Sequence, residues 1–383
     1  MNEGYTGGRM GARRTGDRDR ALRGFLLSFG VTLVVLYGLY VIQVPYYIYQ
    51  PGSAESIKPM VKVVQADTEE KGAFMLTTVA LIPRTSILGY LLAIWNPNME
   101  VQRKRDVLHG QTEQQFMQRQ EIVMLESQSS AIQAAYKKAN IPFQIKSMGA
   151  YVTETKKGLP ADQVLKPGDT IIQADGLAVG GIKELQAILT AKKVGDTVSL
   201  VVKRGAEELT YPIVLADVSA RLASPSPSPG GESGPRPGIG VTTADLRSTV
   251  PDQADKKVEI QAGEIGGPSA GLMFSLEIYN QLTVGDLSKG YRIAGTGTID
   301  ASGNVCSIGG IQHKIVAAER EGTELFFAPK DRKAGECGLA GDVANYTDAA
   351  DKAKQIKSAM KVVPVGSLEE ALQVLAGLPE KSS

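Results

Sequence analysis

The 383 residues hold two cysteines, two histidines and one tryptophan. Cys306, Cys337, His109 and His313 lack the close pairwise spacing of a zinc site, so no metal is expected. There is no Gly-Lys dipeptide anywhere, which excludes a phosphate-binding loop of the G-x-x-x-x-G-K-[ST] kind within these residues. Neither sign of charge dominates. Lys and Arg number 42 against 41 Asp and Glu, for a net charge of +1. No basic stripe lies beyond the N-terminus, so nucleic acid is not an expected partner. No nucleotide, metal or other cofactor is expected, and any chemistry must come from ordinary side chains. Outside a membrane the two cysteines could pair, although spacing does not say whether their geometry allows it.

Against that background stands one long uncharged run. Residues 24–44, GFLLSFGVTLVVLYGLYVIQV, are 21 residues without a charge, enough to span a bilayer as a helix. Arg9, Arg13, Arg14, Arg18, Arg20 and Arg23 precede it, and Tyr46, Tyr47 and Tyr49 follow. The tyrosines form an aromatic belt, and the arginines are expected to keep residues 1–23 in the cytoplasm and the bulk of the chain outside. A cleaved signal peptide is the rival, but it would have a shorter apolar core and a small-x-small site near residue 44. An uncleaved single-pass anchor is therefore expected. A second apolar stretch, residues 73–95, is interrupted by Pro83 and Arg84. It predicts a strand from Phe74 to Leu81, a turn, and a buried helix from Ser86 to Trp95, not a second span.

Residues 141–217 form a module with a grammar of their own. From Gly149 the pattern predicts strand, turn, short helix and a turn at Pro167-Gly168-Asp169. A strand, a hairpin at Asp175-Gly176, a helix and two strands around Arg204-Gly205 follow. The run G-x-x-V…G-x-P-A…L-x-x-G-D-x-I resembles a PDZ domain of the kind that accompanies bacterial proteases. The resemblance implies a peptide, such as the C-terminus of another polypeptide, added as a strand at a sheet edge, with a backbone loop for its carboxylate. That loop is expected just before Gly149, at Pro142, Phe143, Gln144 and Ile145. The alternative is a small structural domain that binds nothing. A linker over 218–238 follows; in SPSPSPGGESGPRPG, 224–238, thirteen of fifteen residues are Ser, Pro or Gly.

The segment GEIGGPSAGLMFSLEIYNQL, 263–282, runs from a glycine-rich loop into a helix. Pro268 suits the first helical position. Ser269 beside it is either a cap or a nucleophile at the positive end of a helix. A nucleophile needs a base. In GGIQHKIVAAEREG, 309–322, a helical wheel puts Lys314 on the apolar face with Ile311, Ile315 and Ala318. Desolvation there would lower its pKa toward that of a general base, unless the side chain snorkels to water. His313 points about 100° away. Both it and His109 are expected on the surface.

Together, GGPSAG followed by TGTID…GNV…IGGIQHKIVAA resembles the proteolytic domain of Lon proteases, which use a Ser-Lys dyad. The resemblance implies Ser269 as nucleophile, Lys314 as base, and Thr296 as the residue whose hydroxyl contacts and orients that lysine. It implies an oxyanion hole from the amides around Gly267 and Ala270. The chain departs at Gly266, where many members carry an acidic residue. EIVMLESQSSAIQAAYKKANI, 121–141, and GAFMLTTVAL, 72–81, resemble earlier parts of the same domain. Residues 60–140 and 239–377 are thus expected to build one α+β catalytic domain with the PDZ-like module inserted in it. As a whole the protein is similar to the membrane-anchored, PDZ-containing Lon-like proteases of Gram-positive bacteria, which lack the ATPase of Lon. This implies an ATP-independent serine endopeptidase acting on exported peptides or exposed protein segments, with a homo-oligomer such as a hexamer as a further expectation. The alternatives are a non-catalytic membrane adaptor that binds exported tails, and a protein that cleaves itself.

Overall fold

The structure, a computed structural model, describes residues 13–67, 69, 71–205, 207–219, 235–263 and 265–381. The first twelve residues and positions 220–234 of the linker lie outside the described residues. Along the chain run α1 (Arg13–Val41), β1 (Tyr46–Ser56), β2 (Val61–Val63), β3 (Ala73–Ile82), α2 (Ile87–Trp95), β4 (Glu100–Arg103), α3 (Lys104–Leu108) and α4 (Glu113–Lys138). Then come β5 (Phe143–Thr155), β6 (Thr170–Ala174), β7 (Leu177–Ala178), α5 (Ile182–Thr190), β8 (Thr197–Arg204), β9 (Glu207–Val214), β10 (Ala216–Asp217), β11 (Pro237–Gly238) and β12 (Val241–Pro251). The remainder is β13 (Val258–Ile260), α6 (Gly271–Leu282), β14 (Arg292–Gly295), β15 (Thr298–Ile299), β16 (Val305–Cys306), α7 (Ile311–Arg320), β17 (Leu325–Pro329), α8 (Asn345–Gln355), β18 (Lys361–Val365) and α9 (Leu368–Ala376).

The described residues form two compact units, one up to Gln50 together with Ala80–His109, the other Pro51–Val79 together with the chain from Gly110. In the first unit, Leu22–Val41 of α1 is apolar and long enough to cross a membrane, and none of its residues is buried. The start of β1 pairs antiparallel with β4, Tyr46 opposite Arg103. The expected strand and helix at 73–95 form, with Ser86 capping α2 by accepting from the Gly89 N–H at 3.0 Å. The expected burial of α2 does not hold: Ala93 is its only buried residue.

In the second unit β3, β14, β17 and β18 lie parallel, in the order β18-β17-β14-β3. Their residues alternate between two apolar cores. Phe74, Leu76, Ile293, Leu325 and Phe327 pack with Phe274 of α6 and Leu372 of α9. Met75, Ala294, Phe326 and Ala328 pack with Ile311 and Ile315 of α7 and Ala353 of α8. A parallel sheet needs cover on both faces, which explains why these strands are apolar throughout. α4 lies beside α6 in the first core, contributing Met124, Ala131 and Tyr136. A capping box starts α4, with the Thr112 hydroxyl on the Gln115 amide and the Gln115 side chain on the Thr112 amide. Strands on both sides of the PDZ-like module meet here: β2 pairs with β13, and β3 with β14.

The PDZ-like sheet has the order β12-β5-β6-β8-β9, with β7 on β6, around its own core of Val152, Ile171, Leu185, Leu200 and Ile213. Its elements follow the sequence expectation, with one addition. After the linker, β12 returns along nearly the whole of β5, from Val241 opposite Thr155 to Pro251 opposite Phe143. Residues 241–251 therefore belong to this sheet, although sequence placed the module's end before the linker. The expected carboxylate loop is corrected by the same pairing. Phe143, Gln144 and Ile145 are strand residues opposite Pro251, Val250 and Thr249. The Pro142 carbonyl accepts from the Asp252 N–H at 3.0 Å. A returning strand on the far side of a linker leaves no local signal in the sequence.

Candidate active site

Ser269 lies in a short 3-10 turn, Pro268–Ala270, immediately before α6. Pro268 occupies the first helical position, as its fixed φ favours. The Ser269 side chain caps nothing. Its Oγ is 2.8 Å from Lys314 Nζ on α7. Lys314 also donates to the backbone carbonyl of Thr77 on β3, at 2.8 Å. It is 3% exposed, and no ion pair joins it to a carboxylate among the described residues. Complete burial disfavours the charged form and pulls Lys314 down to about 7. The snorkelling alternative is thereby set aside, because the amine points inward.

Several groups hold the turn in place. The Ser269 carbonyl accepts from the Thr296 hydroxyl at 3.0 Å and from the Gly297 N–H at 2.8 Å. The Ser127 hydroxyl on α4 donates to the Pro268 carbonyl at 2.8 Å. The Gly267 N–H donates to the Gln120 carbonyl at 3.0 Å, with Gly267 at φ +86°, a conformation that favours glycine.

Two expected roles change with this geometry. Thr296 is fully buried, but its hydroxyl serves the Ser269 carbonyl; the lysine is held by the Thr77 carbonyl. Gly267 has already given its amide to Gln120, so it is not free to receive an oxyanion. Ala270 is buried at the end of the turn. Thr77, Gln120 and Ser127 were missed. Thr77 and Gln120 act through backbone carbonyls, which no side-chain pattern reveals. Ser127 is one of several serines on α4, and only the fold selects it.

The histidines part company. His109 is exposed at the end of α3, as expected, in a left-handed conformation. His313 is 6% exposed, against expectation, since the wheel gives the helix's own polar side but not what packs against it. Cys306 and Cys337 form a disulfide. No group of three or more His, Cys, Asp or Glu among the described residues could hold a metal ion.

Ser269 and Lys314 open into a cavity of about 750 Å³. Met60, Leu76, Met124, Ala262 and Ile265 give it an apolar wall, and Glu55 is its other charged side chain besides Lys314 among the described lining residues. Ser269 itself is half-buried. A hydroxyl reachable from a cleft and hydrogen-bonded to a buried amine is the arrangement that activation of a serine nucleophile requires.

Two parts of the chain match families of known proteins. Residues 240–377 match the Lon protease (S16) C-terminal proteolytic domain. Residues 121–215 match a PDZ domain. The protein is similar to the Lon protease of Rhizobium meliloti, 30% identical over 34% of this chain and 14% of that protein. It is also similar to the archaeal Lon protease of Halobacterium salinarum, 32% identical over 32% of this chain and 16% of the relative. It thus spans a small part of the curated relatives it matches. Among solved structures, the PDZ domain of the SdrC-like protein of Listeria monocytogenes is 33% identical, covering 25% of this chain and 86% of the other, with a TM-score of 0.21.

Proposed function

We propose that the protein is a serine endopeptidase with a Ser269–Lys314 dyad, working without ATP and anchored to a membrane by α1. The observation that carries the reading is the 2.8 Å contact between Lys314 Nζ and Ser269 Oγ, with the lysine buried. In its neutral form Lys314 accepts the Ser269 proton as Oγ attacks the scissile carbonyl. The amides of Ser269 and Ala270 are the proposed oxyanion donors, since Pro268 has no N–H and that of Gly267 is engaged. The lysine then hands its proton to the leaving amine, and a water deprotonated by Lys314 releases the acyl-enzyme. The apolar wall of the cavity suits an apolar substrate residue beside the scissile bond.

This chemistry consumes no nucleotide, and the sequence holds no Gly-Lys phosphate loop. The pairings of β2 with β13 and β3 with β14 support a catalytic domain with the PDZ-like module inserted in it. Arginines before the apolar helix, and a disulfide between Cys306 and Cys337, support a catalytic domain outside the cytoplasm, facing exported peptides and unfolded segments. The test is cleavage of casein by the detergent-solubilised full-length protein without ATP. Wild type should cleave, and Ser269→Ala and Lys314→Ala should not. Cleavage by Lys314→Ala at the wild-type rate overturns the dyad, and no cleavage by wild type of casein or of a random peptide mixture favours an adaptor.

A further inference from the structure

The nine residues of α2, ILGYLLAIW, include no charge. A helix this apolar is expected in a core, yet Leu91 is 42% exposed, Leu92 63%, Ile94 57% and Trp95 86%. Soluble surfaces carry single apolar residues readily but rarely a contiguous patch of them. Leaving such a face in water forgoes roughly 25 cal/mol for every Å² that could be covered.

Its surroundings say what covers it. α2 begins where α1 ends, within one compact unit. The Ile87 N–H donates to the Ile42 carbonyl at 3.0 Å, the Val44 N–H donates to the Thr85 carbonyl at 2.8 Å, and Gln43 bridges to Ser86. The exposed face of α2 is therefore continuous with the exposed apolar surface of Leu22–Val41. Aromatic rings gather at the same place: Tyr90 of α2 packs on Tyr46 with ring centroids 4.8 Å apart, and Trp95 closes the helix. Tyr and Trp favour the boundary between acyl chains and headgroups. At 1.5 Å per residue α2 is only about 14 Å long, too short to cross a core of about 30 Å. Its ends are prepared for an apolar setting by Ser86 at one end and by the Asn96 N–H bonded to Ala93 at the other.

We propose that α2 is a second membrane contact, lying in the leaflet that the C-terminal end of α1 enters, with Leu91, Leu92, Ile94 and Trp95 among the acyl chains. An interfacial helix of this kind sits about 5–10 Å into the headgroup boundary. The inference rests on α1 entering the bilayer and is independent of the catalytic reading.

Trp95 is the single tryptophan of the protein, so its fluorescence reports α2 alone. The full-length protein is reconstituted into phosphatidylcholine–phosphatidylglycerol vesicles, with flotation as the check on anchoring. Brominated lipids then probe the ring from the bilayer and iodide probes it from water. The expected result is strong quenching by lipid brominated near the headgroup end of the acyl chain, weaker quenching by lipid brominated near its tip, and protection from iodide. Leu92→Asp/Ile94→Asp should lose most of the lipid quenching while the protein still floats. Floating vesicles in which iodide reaches Trp95 and brominated lipid does not quench it overturn the proposal. Protection from both quenchers overturns it too, since a second protein surface would then cover α2. A protein that fails to float overturns the anchor and this contact together.

Discussion

Ser127 on α4 and Pro268, 141 positions further along the chain, are joined by a 2.8 Å hydrogen bond from the serine hydroxyl to the proline carbonyl. The next residue is the proposed nucleophile, so a helix outside the Ser-Lys turn fixes the backbone that carries it. Ser127→Ala removes the donor and nothing else of size. A hydrogen bond of this kind is worth about 1 kcal/mol, and alanine slightly favours the helix, so overall stability should change little. The expected effect is a roughly five-fold lower kcat with KM nearly unchanged. Equal kcat in both proteins would show that the turn holds its shape without α4.

Gly271, the first residue of α6, sets two effects against each other. Its φ of −55° is ordinary for any residue, and alanine gains about 1 kcal/mol over glycine inside a helix. Space decides otherwise. A Cβ there would sit 2.7 Å from the Ser127 hydroxyl, 2.8 Å from Ile299 Cγ2 and 3.1 Å from the Ile299 backbone nitrogen. Gly271→Ala should push α6 off β15 and carry Ser269 away from Lys314. Casein cleavage is expected to fall at least about ten-fold, since small misplacements of reacting groups are costly. Unchanged cleavage would mean that β15 yields without disturbing the turn.

Thr296 separates the reading made from sequence from the one made from geometry. Were its hydroxyl on Lys314, Thr296→Val would change the amine's surroundings and move the pH midpoint of kcat/KM. With the hydroxyl on the Ser269 carbonyl, the same substitution loosens the turn instead. The rate should fall by roughly five- to ten-fold for one hydrogen bond, with the midpoint in place. A pH–rate profile of both proteins makes the distinction.

That contrast marks what the sequence made legible. Ser269 and Lys314 stand out because a serine between Pro268 and a helix, and a lysine on an apolar arc, each break a local pattern. The strands and helices of the PDZ-like module announce themselves through turn residues such as Pro167-Gly168-Asp169. Tertiary pairing is silent: β12 joins β5 across the linker, and the Thr77 and Gln120 carbonyls belong to a backbone that any residue would supply. His313 and α2 failed in opposite directions for one reason. A helix's own periodicity shows which of its faces differ, but not which of them the rest of the fold covers.

The disulfide offers a test of stability free of catalysis. Cys306 and Cys337 are 31 positions apart, a loop whose closure is worth about 3–4 kcal/mol if it acts by restricting the unfolded state. Cys306→Ser/Cys337→Ser should lower the urea midpoint of the oxidised protein to that of the reduced wild type. A reductant should then leave the double variant unmoved. Equal midpoints for oxidised and reduced wild type would show that the bond stores no stability.

Lys314 ties both activity and stability to pH, and both rise as the buried amine loses its proton. Its folded value of about 7 lies below the value near 10.4 of an unfolded lysine. Below pH 7 the buried amine is charged, so the base is lost and kcat/KM should fall about ten-fold per pH unit, with a plateau above about 8. Between about 7 and 10 the unfolded protein holds a proton that the folded one does not. Stability from this group therefore rises with pH across that window, by up to about 1.4 kcal/mol per unit, and is lowest below it. Lys314→Met keeps the length and removes the charge. It should be inactive at every pH yet more stable than wild type at pH 6, with the gap closing toward pH 10. Urea melts of the two proteins at both ends of that range measure the gap. A gap that stays constant from pH 6 to pH 10, or a rate flat through 7, would mean that Lys314 is not buried as a neutral base.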